Sequence, residues 1–329
     1  MTLERLDPTD RRLLEEFQRA LPLVPRPFDA VAAALDVTEA DVLARLARLM
    51  ESGAVSRVGA VCRPNAAGAS TLAAIAAPED RVEAVAAEIG AEPGVNHSYL
   101  REDRVNLWFV ATGPDRAHVD ATLARIAART HLPVIDLPLL RAYHIDLGFS
   151  LEGDPQKHRV EPAREPAPMR TGDAPLVQAL CDGLALTPRP FAALADALGA
   201  SEAAVIARIA ALSADGLLSR VGVIVRHRAL GWRANAMVCF AAPEAEVDSM
   251  GALLAAEPGV TLCYRRRADA ARWPYPLFCM IHATRRDAAL AVLARAEARA
   301  GLETTPRRIL FSLRCFKQRG ALVHERTAA

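Results

Sequence analysis

In the tract His97-Ser-Tyr-Leu-Arg101, an imidazole, a phenol and a guanidinium alternate. In an extended segment side chains two residues apart share one sheet face, so His97, Tyr99 and Arg101 emerge together. Leu262, Tyr264 and Arg266 repeat the spacing in the second half of the chain, with leucine in place of histidine. Two further arginines, Arg57 and Arg220, sit in identical Ser-Arg-Val-Gly tracts, and Arg63 and Arg226 follow at matching parity. Guanidinium forks match carboxylates bidentately, so these groups would suit a planar ligand bearing many carboxylates. Imidazole, with a reference pKa of about 6.5, can deliver a proton at neutral pH. His97 is therefore the candidate proton donor, with Tyr99 or Tyr264 relaying or orienting. Trp273 and Tyr275 could wall such a ligand, and His144 and Lys317, near the ends of the last strands, could reach the same cavity. The plainer alternative is strand arginines that reach water and half-buried structural aromatics. The other histidines, His227 and His282 among them, show no ligand-like spacing and receive no role. No metal site is expected, and no P-loop, G-x-G-x-x-G or H-E-x-x-H motif occurs.

The elements that must position these groups come in duplicate. Pro-Arg-Pro-Phe occurs at Pro25–Phe28 and Pro188–Phe191, and Ser-Arg-Val-Gly at Ser56–Gly59 and Ser219–Gly222, both offset by 163 residues. Ala-Glu-Pro-Gly-Val begins at Ala91 and Ala256, an offset of 165, and Asn106-Leu-Trp-Phe aligns with Pro276-Leu-Phe-Cys at 170. The growing offset implies a few residues inserted in the second copy. Residues 152–172, rich in proline and charge, have the composition of a linker.

Each copy opens with apolar residues at three- and four-residue spacing, in Phe28–Leu35 and Thr38–Ser52 and again in Phe191–Leu198 and Ser201–Asp215. Thr38 precedes acids, as an N-cap should. Extended tracts follow at Val55–Cys62 and Leu217–Val225. The remainder of each copy has strand, helix, strand, strand, helix, strand patterning. The expected class is α+β: a tandem duplication, each copy a winged helix-turn-helix domain followed by a ferredoxin-like βαββαβ domain. The boundaries are 1–63 and 64–151 for copy 1, and 173–226 and 227–320 for copy 2. One face of each small sheet must be covered by a partner, and the other copy is available.

A helix-turn-helix before a βαββαβ unit is the plan of the Lrp/AsnC transcription regulators. The recognition helices nevertheless open Thr38-Glu-Ala-Asp and Ser201-Glu-Ala-Ala, which would repel phosphate and read no base edge. The net charge of +1 gives no footprint for nucleic acid or an anionic membrane. Apolar stretches are broken well short of the roughly 18 residues a membrane span needs. Six scattered cysteines without C-x-x-C, and an N-terminus without a signal-peptide core, point to a cytoplasmic protein with reduced thiols.

The tracts LDPTDRRLLEEFQRALPLVPRPF, SRVGAV, GVNHSYLRE with NLWF, and TLCYRR followed by WPYPLFCMIH resemble the two subunits of siroheme decarboxylase, an enzymatic offshoot of the Lrp/AsnC fold. The resemblance covers residues 5–150 and 173–320, one half per subunit. It implies that siroheme loses two acetate carboxyl groups to give didecarboxysiroheme, for haem d1 or an alternative haem route. The iron would arrive with the substrate, so no separate cofactor is expected, and siroheme is the implied partner; self-association is left open. Leu262 stands where this family commonly has histidine, which favours the cavity with His97 as the active one. A ligand-responsive regulator and a non-catalytic tetrapyrrole carrier are the alternatives.

Overall fold

The computed structural model describes residues 6–145 and 172–324, with residues 148, 167, 169 and 170. The linker expected at 152–172 thus lies almost wholly outside the described residues. Copy 1 runs α1 (Pro8–Glu16), α2 (Pro27–Leu35), α3 (Glu39–Glu51), β1 (Val55–Cys62), β2 (Ala69–Ile75), α4 (Val82–Ala91), β3 (Val95–Arg101), β4 (Leu107–Gly113), α5 (Arg116–Thr130) and β5 (Ile135–Ile145). Copy 2 repeats the order with α6 (Asp173–Asp182), α7 (Pro190–Leu198), α8 (Glu202–Ala214), β6 (Leu218–Val225), β7 (Ala234–Phe240), α9 (Val247–Ala255), β8 (Val260–Arg266), β9 (Leu277–Ala283), α10 (Arg286–Ala300) and β10 (Arg307–Gln318).

Local chemistry sets the helix starts. Thr38 and Ser201 each accept a backbone N–H three residues on, at 3.2 Å, as N-caps do. Pro27 and Pro190 occupy the first turn of α2 and α7, where a missing N–H costs nothing. In both Pro-Arg-Pro-Phe tracts the arginine pairs with the first glutamate of the next helix, Arg26 with Glu39 and Arg189 with Glu202.

The two extended tracts do not form separate wings. β1 and β6 pair antiparallel with each other, with Gly59 opposite Gly222. The glycines are needed because other chain segments cross there. A Cβ on Gly59 would lie 2.4 Å from the Leu180 carbonyl oxygen, and one on Gly222 2.4 Å from that of Phe17. The segment after α1 bonds to β6 (Val223 N–H to the Phe17 carbonyl, 2.8 Å), and the segment after α6 bonds to β1 (Leu184 N–H to the Val58 carbonyl, 2.7 Å). The two helix-turn-helix units are therefore interlocked over one core that includes Leu14, Phe28, Leu46, Leu180, Phe191 and Ile209.

The eight remaining strands close a barrel in the order β10-β3-β4-β2-β5-β8-β9-β7. Each copy supplies four strands, and the seams are β5 with β8 and β10 with β3, all antiparallel. The partner-covered face expected of each sheet is thus the barrel interior. It is filled by Trp108, Phe278, Leu137, Leu310 and Met237, each large apolar side chain contributing roughly 1.5–3 kcal/mol over its exposed state. The outer faces lie under α4 and α5 in copy 1 and α9 and α10 in copy 2. The long seam strands reach over the opposite copy: Arg141 on β5 bonds Asp248 of α9 at 3.0 Å, and Arg314 on β10 bonds Glu83 of α4 at 2.6 Å. Beyond residue 320 the chain returns to copy 2, where Gln178 of α6 accepts from the Val323 N–H at 2.8 Å.

Candidate active site

β3 carries His97, Tyr99 and Arg101 as the alternation requires, with the His97 and Tyr99 rings stacked at 6.4 Å and Arg101 over Tyr99 at 5.5 Å. β10 lies alongside, so Cys315 faces Tyr99 across the seam. The β1–β6 ribbon brings Arg57 to this group: burial, together with the Arg57 charge, holds His97 down at about 4. That corrects the expectation of a histidine near its reference value; His97 is neutral at neutral pH in the protein alone.

Two histidines that the sequence left without a role belong to the same place. His227, just after β6, packs edge-on to His282 of β9 at 4.5 Å and bonds the Asn235 amide at 3.0 Å. Burial, with the Arg228 and His97 charges, lowers His227 to about 3. Burial and the His227 and Arg101 charges likewise lower His282, which bonds the Thr261 hydroxyl at 2.7 Å. The signal for His282 was its parity with Phe278 and Met280, which line the barrel interior. For His227 it was the contrast of Arg226-His-Arg228 with Arg63-Pro-Asn65 at the matching place in copy 1.

The arginines of this region share one property. Arg57 donates to the Ala60 carbonyl (3.1 Å), Arg101 to that of Leu310 (3.2 Å), Arg266 to that of Leu137 (2.8 Å), and Arg228 to those of Ser312 and Leu313 (3.1 Å each). None of these bonds goes to a carboxylate, and the Nε atoms of Arg57, Arg101, Arg226 and Arg266 are buried without a hydrogen-bond partner. Burial lowers the pKa values of Arg57, Arg101 and Arg266. Buried cations so placed are costly unless an anion joins them. Tyr264 faces inward beneath Arg266, whose guanidinium lies 4.5 Å from the ring, and burial pushes both tyrosine phenols up so that each keeps its proton.

The pseudo-symmetric place, with the two copies exchanged, does not repeat the histidine cluster. Leu262, Pro64, Thr112 and Ser70 stand where the cluster has His97, His227, His282 and Asn235. Arg220 is buried on β6 opposite Val61, and Arg63, half-buried, follows a register shift between Val61 and Cys62.

Several expected contributors are placed elsewhere. The Lys317 ammonium bonds the Gly90 and Glu92 carbonyls at 2.7 Å each, capping α4, because the β10 register shifts between Cys315 and Lys317. A similar shift in β5 separates Ala142 from His144, which lies half-buried opposite Cys263 on the other seam. Trp273 offers no open face: it is 2% exposed, edge-on to Trp108 at 4.9 Å in the barrel core. Tyr275 accepts a hydrogen bond from Arg308 at 3.2 Å. Among the described residues no group of three His, Cys, Asp or Glu is placed to hold a metal ion.

A closed barrel made of two βαββαβ sheets, under two helix-turn-helix units, with buried histidines and arginines clustered on one side, defines a tandem AsnC-like ligand-binding protein. Residues 67–144 and 229–317 match the AsnC-like ligand binding domain, and residues 10–55 and 173–218 match the siroheme decarboxylase NirDL-like HTH domain. The chain is 57% identical over 320 residues to the siroheme decarboxylase NirDL subunit of Paracoccus denitrificans (strain Pd 1222), covering 97% of this chain and 98% of that one. It is also 52% identical over 147 residues to the NirD subunit of Pseudomonas aeruginosa, a match that covers 45% of this chain and 98% of the relative. The crystal structure of the siroheme decarboxylase NirDL superposes with a TM-score of 0.66 at 25% identity, covering 95% of this chain and 93% of the other. A second, of that enzyme with an iron-uroporphyrin III analogue, has the same fold at 24% identity and a TM-score of 0.65, covering 96% and 94%. The chain belongs to the siroheme decarboxylase family.

Proposed function

We propose that this chain decarboxylates siroheme at the two acetate side chains to give didecarboxysiroheme, and that the histidine side of the barrel is its one catalytic cavity. The observation that carries the reading is the set of buried guanidinium groups with no carboxylate bonded to them. A polycarboxylate supplies the missing anions. In this assignment Arg57, Arg101, Arg226 and Arg228 hold carboxylates that are retained. The scissile carboxylate sits away from them, since pairing it would stabilise the ground state and oppose loss of carbon dioxide.

Each departing carbon dioxide leaves an electron pair on the acetate methylene, which one proton converts to methyl. His97, His227 and His282 are the groups that can hold that proton. They are neutral in the protein alone, and a neighbouring carboxylate favours the imidazolium. Substrate binding therefore charges the donor that the reaction uses. Tyr99, with its proton held firmly beside His97, orients rather than donates.

The test is anaerobic incubation of the purified chain with siroheme, followed by mass spectrometry of the pigment. Loss of two carbon dioxide units is expected; bound, unchanged siroheme would leave a tetrapyrrole carrier. Replacing His97 by alanine separates proton donor from iron ligand. Lost turnover with an unchanged bound-haem spectrum supports the donor, and a changed spectrum with turnover intact makes it a ligand.

A further inference from the structure

Cys62 ends β1 in copy 1 and Cys181 lies in α6 of copy 2, 119 residues apart in sequence, yet their sulfurs are 3.4 Å apart. Both thiols are free. The arrangement is one-sided: Val225 and Gln18 hold the matching places of the other copy. Cys62 is half-buried, while Cys181 is 1% exposed. The hydrogen bond between the sulfurs, with burial, pushes the Cys62 thiol well up, while that bond and the Arg57 charge lower Cys181 against its burial, so the thiolate of the pair belongs to Cys181 and is placed to take the Cys62 proton.

We propose that Cys62 and Cys181 form a reversible oxidation site, at which a peroxide converts the two facing thiols into a disulfide between the copies. The Cys62 sulfur attacks one peroxide oxygen, breaks the O–O bond and becomes a sulfenic acid as the other oxygen leaves as water. The Cys181 sulfur then attacks the Cys62 sulfur and expels the hydroxyl, which leaves as water with the remaining thiol proton. Two thiols and one hydrogen peroxide give one disulfide and two waters; the sulfurs lose two electrons and the peroxide gains them. Cys62 is half-buried with a second sulfur 3.4 Å away, whereas Cys239, Cys263 and Cys279 are fully buried in the barrel and burial pushes their thiols up, so this pair reacts ahead of them. Support from Cys181 is expected as a resolving thiolate, since the hydrogen bond from Cys62 and the Arg57 charge outweigh its burial and lower its pKa.

The full chain, reduced and then exposed to a small excess of hydrogen peroxide, is alkylated, digested without reductant and analysed by mass spectrometry. A peptide linking Cys62 to Cys181, two hydrogens lighter than its parts and released by dithiothreitol, is expected before any other cysteine changes. Because the link closes a loop of more than a hundred residues, the unfolding midpoint should rise by roughly 5–10 °C. Cys62→Val, which installs the residue the other copy uses, should abolish both the linked peptide and the rise. Oxidation of Cys315 first, Cys62 sulfinic acid without a link, or a linked form that unfolds at lower temperature would each overturn the proposal.

Discussion

In the helix-turn-helix layer, Arg45 bonds Asp7, Asp10 and Asp41, Arg48 bonds Asp10, and Arg208 bonds Asp173. Around the histidine cluster, Arg57, Arg101, Arg228 and Arg266 reach carbonyl oxygens and, for Arg101, the Met280 sulfur, and among the described residues none of them bonds a carboxylate. The first region uses arginine to tie each recognition helix to the first helix of its copy, α3 to α1 and α8 to α6. That removes from α3 and α8 the cations that would contact phosphate. The second region leaves its cations waiting for anions from outside. One side chain type thus serves packing at one end of the molecule and recognition at the other, and the difference lies in where the chain put its acids.

The sharpest way to break this contrast is at the chemistry. His97→Ala should lower turnover by about 10²- to 10⁴-fold, the range for a lost general acid, whereas Leu262→His should change it less than about twofold, since Pro64, Thr112 and Ser70 replace the other members of the cluster at that pseudo-symmetric place. Steady-state rates for both variants decide the matter; a gain from Leu262→His would establish a second working site. Next comes Asp10→Ala, which leaves Arg45 and Arg48 without their 1%-exposed partner. Denaturant unfolding should show a loss of about 2–4 kcal/mol, with siroheme affinity unaltered. Arg101→Ala should do the reverse, weakening siroheme binding by about 1.5–3 kcal/mol while thermal stability holds or rises, because a buried cation is removed. If both variants lost stability equally and neither lost binding, the distinction between the regions would be wrong.

The smallest effect is a pH dependence with opposite signs in the two regions. His97 and His227 have pKa values of about 4 and 3 in the protein alone and gain protons when carboxylates arrive. Affinity from that uptake is present at low pH and falls as pH rises toward the raised values in the complex, by at most about tenfold per pH unit for each proton. Calorimetry in buffers of different ionisation heat would count those protons, and a count of zero would remove the histidines from the binding event. Asp173 is held below the usual carboxylate range by Arg208. Its contribution to stability is present above pH 4 and is lost as pH falls through its lowered value, which acid unfolding of Asp173→Asn against the parent would show.

Much of this was legible in the residues. The duplicated Ser-Arg-Val-Gly tracts located the two paired strands, the alternation in His97, Tyr99 and Arg101 held on β3, and the acids behind Thr38 and Ser201 became the glutamates that grip Arg26 and Arg189. What alternation could not show was a β-bulge. One shift before Lys317 turned its ammonium to the end of α4, and another before His144 broke its parity with Ala142. Nor could local spacing unite His97, His227 and His282, which come from three segments in two copies and meet only because the barrel closes. Trp273 was legible as an aromatic wall but not as a wall already occupied, since Trp108 lies far from it in sequence.

The closed barrel has one more consequence. Two identical chains related by a twofold axis would carry every substitution twice, so a histidine that improves one cavity must also be accommodated in the other. Joining the halves in one chain lifts that constraint while keeping both seams. Leucine can then pack at residue 262 while histidine works at residue 97. Symmetry of the backbone is retained for stability, and symmetry of the side chains is given up for specialisation.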